Sequence, residues 1–212
     1  VALDTYDALL ASGVDWLNRA GFAELTARFP DFVTLCETML NRDLRTRQME
    51  TQTDSAAYRT TAGTATLDLP ADYLEARGLI LQTSPVAVLS YVTPAALSAT
   101  YGGGTTGRPA AYTMIGNRLK FGPTPDAAYG AELTYYGKIP ALSASNPTNW
   151  VLAEQPDLYL YGSLLQSAPF LQDDARLSLW GGLYDAALGR VQSTDQRARW
   201  GGAPLTIKVR AW

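Results

Sequence analysis

The chain has 212 residues, 47% of them hydrophobic and 17% charged, with a net charge of −3; this balance suits a packed globular protein and excludes disorder over most of the length. The charge argues against a sequence-independent DNA binder working through a basic face. Histidine is absent and Cys36 is the only cysteine, which removes Ser-His and Cys-His catalysis, Cys/His zinc sites, CxxC motifs and intrachain disulfides.

No window approaches about 18 continuous apolar residues, so no membrane span is expected. The start VALDTYDALL carries Asp4 and Asp7 and no basic region, which argues against a signal peptide and for a soluble protein made in a cytoplasm. A first helix is expected from about Asp4 to Ala20, capped by Asp4 or Thr5, with Leu9, Leu10, Gly13, Val14 and Leu17 on one face and Gly21 ending it. A second is expected from Pro30–Asp31 to about Arg45, with Phe32, Leu35, Cys36, Met39 and Leu40 at helical spacing. Arg42, Arg45 and Arg47 at its end suit the negative pole of the helix dipole, and they could instead line a partner surface.

From Gln48 the texture changes. Thr64, Thr66 and Asp68 alternate with Ala65, Leu67 and Leu69 at strand period, and Pro70 stops the run. ADYLEAR reads as a short turn before two apolar runs, Leu79–Leu81 and Val86–Leu89, and a short helix is expected from Pro94. TYGGGTTGRPA (100–110) is a flexible loop with four glycines. A phosphate-cradling role for Gly102–Gly104 would need a Lys-Ser/Thr pair, a preceding strand and a following helix, all missing, so the loop reads as a hinge or contact loop. Ala111–Ile115, Arg118–Phe121 and Ala131–Tyr136 read as strands, turning at Gly116–Asn117 and over Gly122–Asp126.

The stretch NWVLAEQPDLYLYGSLLQSAPFL (149–171) is the natural centre of the core. Pro156 and Asp157 read as a helix start. Leu158, Tyr161, Leu165 and Ala168 share one face, and Leu160, Leu164 and Leu171 a second, so this helix is expected to be buried between neighbours. A final long helix follows Asp173–Asp174, with Leu177, Trp180, Gly181, Tyr184, Ala187, Leu188 and Val191 on its apolar face. The acid pair reads as a helix cap, since no third metal ligand accompanies it. Gly201-Gly202-Ala203-Pro204 then breaks the helix. Beyond it Leu205, Ile207, Val209 and Ala211 alternate with Thr206, Lys208, Arg210 and Trp212, the pattern of a strand either folded back on its own sheet or lent to another chain. The fold class is α+β: a helical layer of about four helices interrupted by a small β unit.

Several segments occur in an order that resembles the head-to-tail adaptor (connector, or head-completion) proteins of tailed phages: ALDTYDALLASGVDWLNR, FPDFVTLCETMLNRDLR, LDLPADYLEARGLIL, RLKFGPTPDAAYGAELTYYGKIPALS and NWVLAEQPDLYLYGSLLQSAPFLQDDARLSLWGGLYDAAL. The resemblance spans nearly the whole chain and rests on the ordered set, since no one motif is diagnostic. It implies a helical bundle in two parts, 1–47 and 141–200, around a β-rich insertion, 48–140, and an extended C-terminal tail, 201–212. It further implies a structural virion protein at the head–tail junction, with no catalytic, metal or cofactor residues, taking part in genome packaging and ejection.

The partners implied are the portal, a tail or nozzle protein, and further copies of the chain in a ring of typically about twelve. That ring would extend the DNA channel and give the tail its platform, with no sequence-specific binding of DNA. At −3 each, about twelve copies carry roughly −36 in total, which would repel passing DNA. Portal docking then falls to Leu205, Ile207, Lys208, Val209, Arg210 and Trp212, and a tail or subunit contact to Tyr101, Gly102, Gly103, Gly104 and Arg108. The alternative is a small-terminase-like packaging ring that binds nucleic acid, which salt-sensitive DNA binding would reveal. A carboxylate-only glycan-cleaving enzyme would need two acids lining a cleft, and no pair stands out beyond helix capping.

Overall fold

The computed structural model of the protein describes residues 3–18, 21–171 and 174–200. The described chain forms two compact units, residues 1–48 with 139–212, and residues 49–138. In the first, α1 (Tyr6–Trp16) is capped by Thr5, whose hydroxyl accepts the Ala8 N–H at 3.3 Å. The second helix, α2 (Ala23–Asp43), begins seven residues before the expected start and runs through Pro30. A proline inside a helix costs about 3 kcal/mol. Leu25 and Phe29, upstream of it, are fully buried, and burying two such side chains contributes about 1.5–3 kcal/mol each. Core burial therefore carries the helix past its own breaker.

Two more helices follow the insertion, α4 (Trp150–Glu154), capped by the Asn149 side chain, and α5 (Pro156–Leu171), which starts at the proline. The last is α6 (Asp174–Trp200). Together with α3 (Pro94–Tyr101) in the other unit, the described residues hold six α-helices and not about four. The excess comes from α3 and α4, short helices set by caps at Thr93 and Asn149.

Helix α5 is the centre of this unit, with α2 against it on one side and α6 against it elsewhere. Phe32 of α2 meets Phe170 with ring centroids 5.7 Å apart, and Cys36 lies beside the start of α5. The two helices approach closely because α5 has glycine at 162: a Cβ there would sit 2.4 Å from the Cys36 sulfur. Gly13 plays the same part for α1 against Phe29 of α2, whose ring would lie 1.9 Å from an added Cβ. Leu158, Tyr159, Leu160, Leu164 and Ala168 are buried, while Tyr161 and Leu165 are only partly covered. Tyr161 is instead met edge-on by Trp16, which also lies 6.0 Å from Trp180. On α6, Trp180, Tyr184, Ala187 and Val191 are buried as expected, but Leu177, placed on the same face by spacing, is 42% exposed. It stands a turn before the first fully covered residue, near the helix end.

The second unit holds two four-stranded sheets and a two-stranded one. The first sheet comprises β1 (Glu50–Gln52), β3 (Tyr73–Gln82), β4 (Ala87–Val88) and β10 (Gly130–Gly137), in the order β1-β10-β3-β4, all antiparallel. The second comprises β2 (Thr66–Asp68), β5 (Ser90–Tyr91), β7 (Ala111–Ile115) and β8 (Arg118–Gly122), in the order β2-β8-β7-β5, with β5 parallel to β7. ADYLEAR is not a turn throughout: β3 starts at Tyr73 and takes in most of it. Likewise β9 (Thr124–Pro125) occupies part of the expected turn after Gly122 and pairs with β6 (Thr106–Gly107).

The period-two alternation of β3, β7, β8 and β10 sends Leu79, Leu81, Tyr112, Leu119, Phe121, Ala131, Leu133 and Tyr135 into one shared core between the two large sheets. Leu89, between β4 and β5, enters the same core where the chain passes from one sheet to the other.

Candidate functional site

Three places gather polar or functional side chains, two in the helical unit and one in the β unit. The first is a buried anchor. Glu37, on the inner face of α2, is 7% exposed. Its carboxylate accepts the Leu142 N–H at 2.6 Å and the Tyr159 hydroxyl at 3.3 Å. Asn149 donates through Nδ2 to the Tyr159 oxygen and to the Pro140 carbonyl, both at 2.7 Å. One turn along α2, Asn41 accepts the Ile139 N–H at 2.9 Å. Segment 139–149 is thereby fastened to α2 and α5. Burial pushes the Glu37 carboxyl above its ordinary range, against the two hydrogen bonds that favour its charged form. Burial likewise raises the Tyr159 hydroxyl. A protonated tyrosine donating to a buried carboxylate that also accepts a main-chain N–H has the geometry of a structural tie.

The second place is a cleft of about 190 Å³, lined by Thr46, Arg47, Gln48, Glu154, Val191 and Asp195 among others. Asp195 accepts the backbone N–H of Arg47 at 2.9 Å and lies 2.7 Å from Arg199 Nε and 3.5 Å from Arg47 Nε. Its partial burial works to raise the carboxyl pKa, but the Arg47 N–H and the two guanidinium groups outweigh it and hold the carboxyl below its usual value. Gln48 donates to Glu154 at 2.6 Å. Of the arginines after α2, Arg45 donates to the Asn41 carbonyl at 2.8 Å, closing the helix end, and Arg47 joins α6 through Asp195.

The third place is the glycine loop. Tyr101 is the last residue of α3, and its ring fills the space beside Gly122, where a Cβ would lie 2.5 Å from it. Gly103 and Gly104 both adopt φ of +79°, a conformation glycine takes at little cost. The loop is tied on both sides: the Thr105 hydroxyl donates to the Gly102 carbonyl at 3.2 Å, and the Thr124 N–H to the Thr105 carbonyl at 2.9 Å. Gly102, Gly103, Gly104 and Arg108 are exposed.

The expected docking residues Leu205, Ile207, Lys208, Val209, Arg210 and Trp212 lie outside the described residues, and so does Asp173 of the acid pair. Among the described residues no group of three or more Cys, Asp or Glu side chains could hold a metal ion. No described helix is long and apolar enough to cross a membrane. Sequence reasoning missed Glu37, Tyr159, Asn149 and Asp195. Only Asn149, an Asn ahead of an apolar run, carried a legible sign, as a helix cap.

A search of curated proteins returns no match to the chain. The family model described as SU10 adaptor protein matches residues 4–208, which takes in both units. The chain therefore belongs to the SU10 adaptor protein family and is a non-enzymatic structural component of the phage head–tail junction, one that associates with its own copies and connects the portal to the tail.

Proposed function

We propose that about twelve copies of the chain close into a ring beneath the portal, extend its DNA channel and present a platform to the tail. The segment Leu205–Trp212 docks on a portal subunit, and the β unit with its loop at Tyr101–Gly104 and Arg108 is turned to the tail or to the neighbouring copy. DNA passes without sequence-specific binding, since the net charge of −3 per copy makes the ring as a whole repel the phosphate backbone. The protein is made in the host cytoplasm and joins the head after packaging.

The observation that carries this reading is the reach of the family match, which runs through both units and as far as Lys208, inside the alternating terminal segment. An alternating apolar segment following Gly201-Gly202 has the composition of a strand on a joint, suited to adding to another chain's sheet. The test is deletion of Leu205–Trp212. Co-sedimentation with purified portal should fall to background while the melting profile of the shortened chain stays that of the wild type. Undiminished portal binding would refute the docking role of the tail.

A further inference from the structure

The four outer edges of the two large sheets are not alike. At β1, Glu50 lies 3.7 Å from Arg77, and Gln52 donates to Glu132 on the next strand. At β2, Asp68 pairs with Arg118 at 2.7 Å. Charges of this kind are how sheets keep their edges from pairing with other chains. The edges at β4 and β5 have none: from Thr83 to Gly107 the sequence contains no Asp, Glu, Lys or Arg. That stretch instead exposes Val86 (52%), Val88 (77%) and Tyr91 (58%), and Val88 has the highest exposure of any large hydrophobic side chain described.

The backbone there is directed outward as well. Leu89 donates its N–H to the Leu79 carbonyl at 3.0 Å, and β4 is in register with β3 as Ile80 opposite Val88 and Leu81 opposite Ala87. In an antiparallel ladder bonded and non-bonded pairs alternate, so Val88 falls in a non-bonded pair, with its N–H and carbonyl directed away from β3. Among the described residues β4 has β3 on one side and no strand on the other.

We propose that this edge takes up an extended strand from the tail-side protein, by addition to β4. The inference rests on the reading that the β unit is turned to the tail. The exposed area of Val86 and Val88 falls well short of the roughly 800 Å² per partner that a stable globular contact buries. A strand suits the difference, because main-chain bonds supply the binding and the side chains the selection. The occupant carries β-branched or aromatic residues at alternate positions and no charge opposite Val86 and Val88. A second copy cannot supply it from β1 or β2, whose ionised side chains would be stripped of water against the valines.

Hydrogen exchange on heads carrying portal and adaptor, compared with complete tailed particles, tests the proposal. Peptides covering 83–93 should exchange about tenfold or more slowly in the tailed particles alone. Val88→Lys should leave the ring on the portal and reduce tail attachment about tenfold or more, Val86→Lys should act in the same way, and Val88→Thr, which keeps shape and main chain, should attach tails normally. Val88 is exposed enough for all these variants to fold, and their melting curves confirm it. Protection already complete in tailless heads would mean that portal or the terminal strand of a neighbouring copy covers the edge, and would overturn the proposal. So would normal tailing of Val88→Lys, or loss of that variant's ring from the portal. Failure of the wild-type protein to bind portal in the same samples would instead strike at the adaptor architecture itself.

Discussion

Replacing Gly162 with alanine sets a gain in helix propensity against a clash in the core. An added Cβ would lie 2.4 Å from the Cys36 sulfur and 3.4 Å from two carbons of the Tyr184 ring, where unstrained contacts are about 3.5–4 Å. Alanine is favoured over glycine within a helix by about 1 kcal/mol. Forcing a methyl group into a filled core costs about 1–3 kcal/mol. Cys36 is fully buried, with its thiol 3.8 Å from the Leu158 carbonyl and 3.9 Å from that of Tyr159, so it has little room to retreat and the upper part of that range applies. The net is a loss of about 1–2 kcal/mol, or roughly 2–8 °C in Tm for a chain of this length.

Gly189 is the internal reference. It is exposed on α6 with nothing within 4 Å of an added Cβ, so Gly189→Ala keeps only the helix gain and raises Tm by roughly 2–4 °C. Thermal and urea unfolding, followed by far-ultraviolet circular dichroism, compares the two with the double variant Cys36→Ala/Gly162→Ala. With the sulfur gone most of the loss returns, as a coupling energy of about 1–2 kcal/mol. A Gly162→Ala protein as stable as Gly189→Ala, or strict additivity in the double variant, would refute the close α2–α5 packing.

The other perturbations separate groups that the sequence pattern treats alike. Leu164→Asp buries a charge at a fully covered position of α5 and should leave the helical unit unfolded, at a cost of several kcal/mol; Tyr161→Asp, at a half-covered position, should cost only about 1–2 kcal/mol, and equal losses for the two would contradict the assigned faces. Glu37→Gln keeps an oxygen for the Leu142 N–H. Because burial raises the folded-state pKa of Glu37, its contribution is full below the unfolded value, about pH 4, and is lost as pH rises through the folded value. The variant should therefore gain on the wild type as pH rises from about 4 towards 7, and a flat difference in urea midpoints would count against a charged, buried Glu37. Asp195 has the opposite sign, since its folded pKa is lowered. Asp195→Asn should cost up to about 1 kcal/mol at neutral pH, and the gap should begin to close as pH falls below about 4 and vanish once pH passes the lowered folded value, where the wild-type carboxylate is also protonated; a gap that persists in acid would show that the pairing with Arg47 and Arg199 is not its source.

Periodicity alone carried much of the architecture. The strands at Ala111–Ile115 and Arg118–Gly122, the turn at Gly116, the helix starting at Pro94 and the start of α5 at Pro156 are all dictated by neighbours within a few residues. Local steric rules and the two side-chain periods act over that range. The α+β class followed from the order of these segments, and the adaptor reading from their order along the whole chain.

What only the tertiary structure decided depends on residues far apart in the chain. Pro30 stays inside α2 because Leu25 and Phe29 find a core. Glu37 is tolerated indoors because Leu142 and Tyr159, more than a hundred residues away, supply its hydrogen bonds. The run Val86–Leu89 is apolar throughout, yet only Leu89 and, in part, Ala87 pack on the core, because β4 lies at the end of its sheet and nothing among the described residues covers Val86 and Val88. An apolar side chain states its preference for leaving water. Whether another element is there to cover it is a property of the assembled fold, and at β4 the described fold leaves that preference unmet.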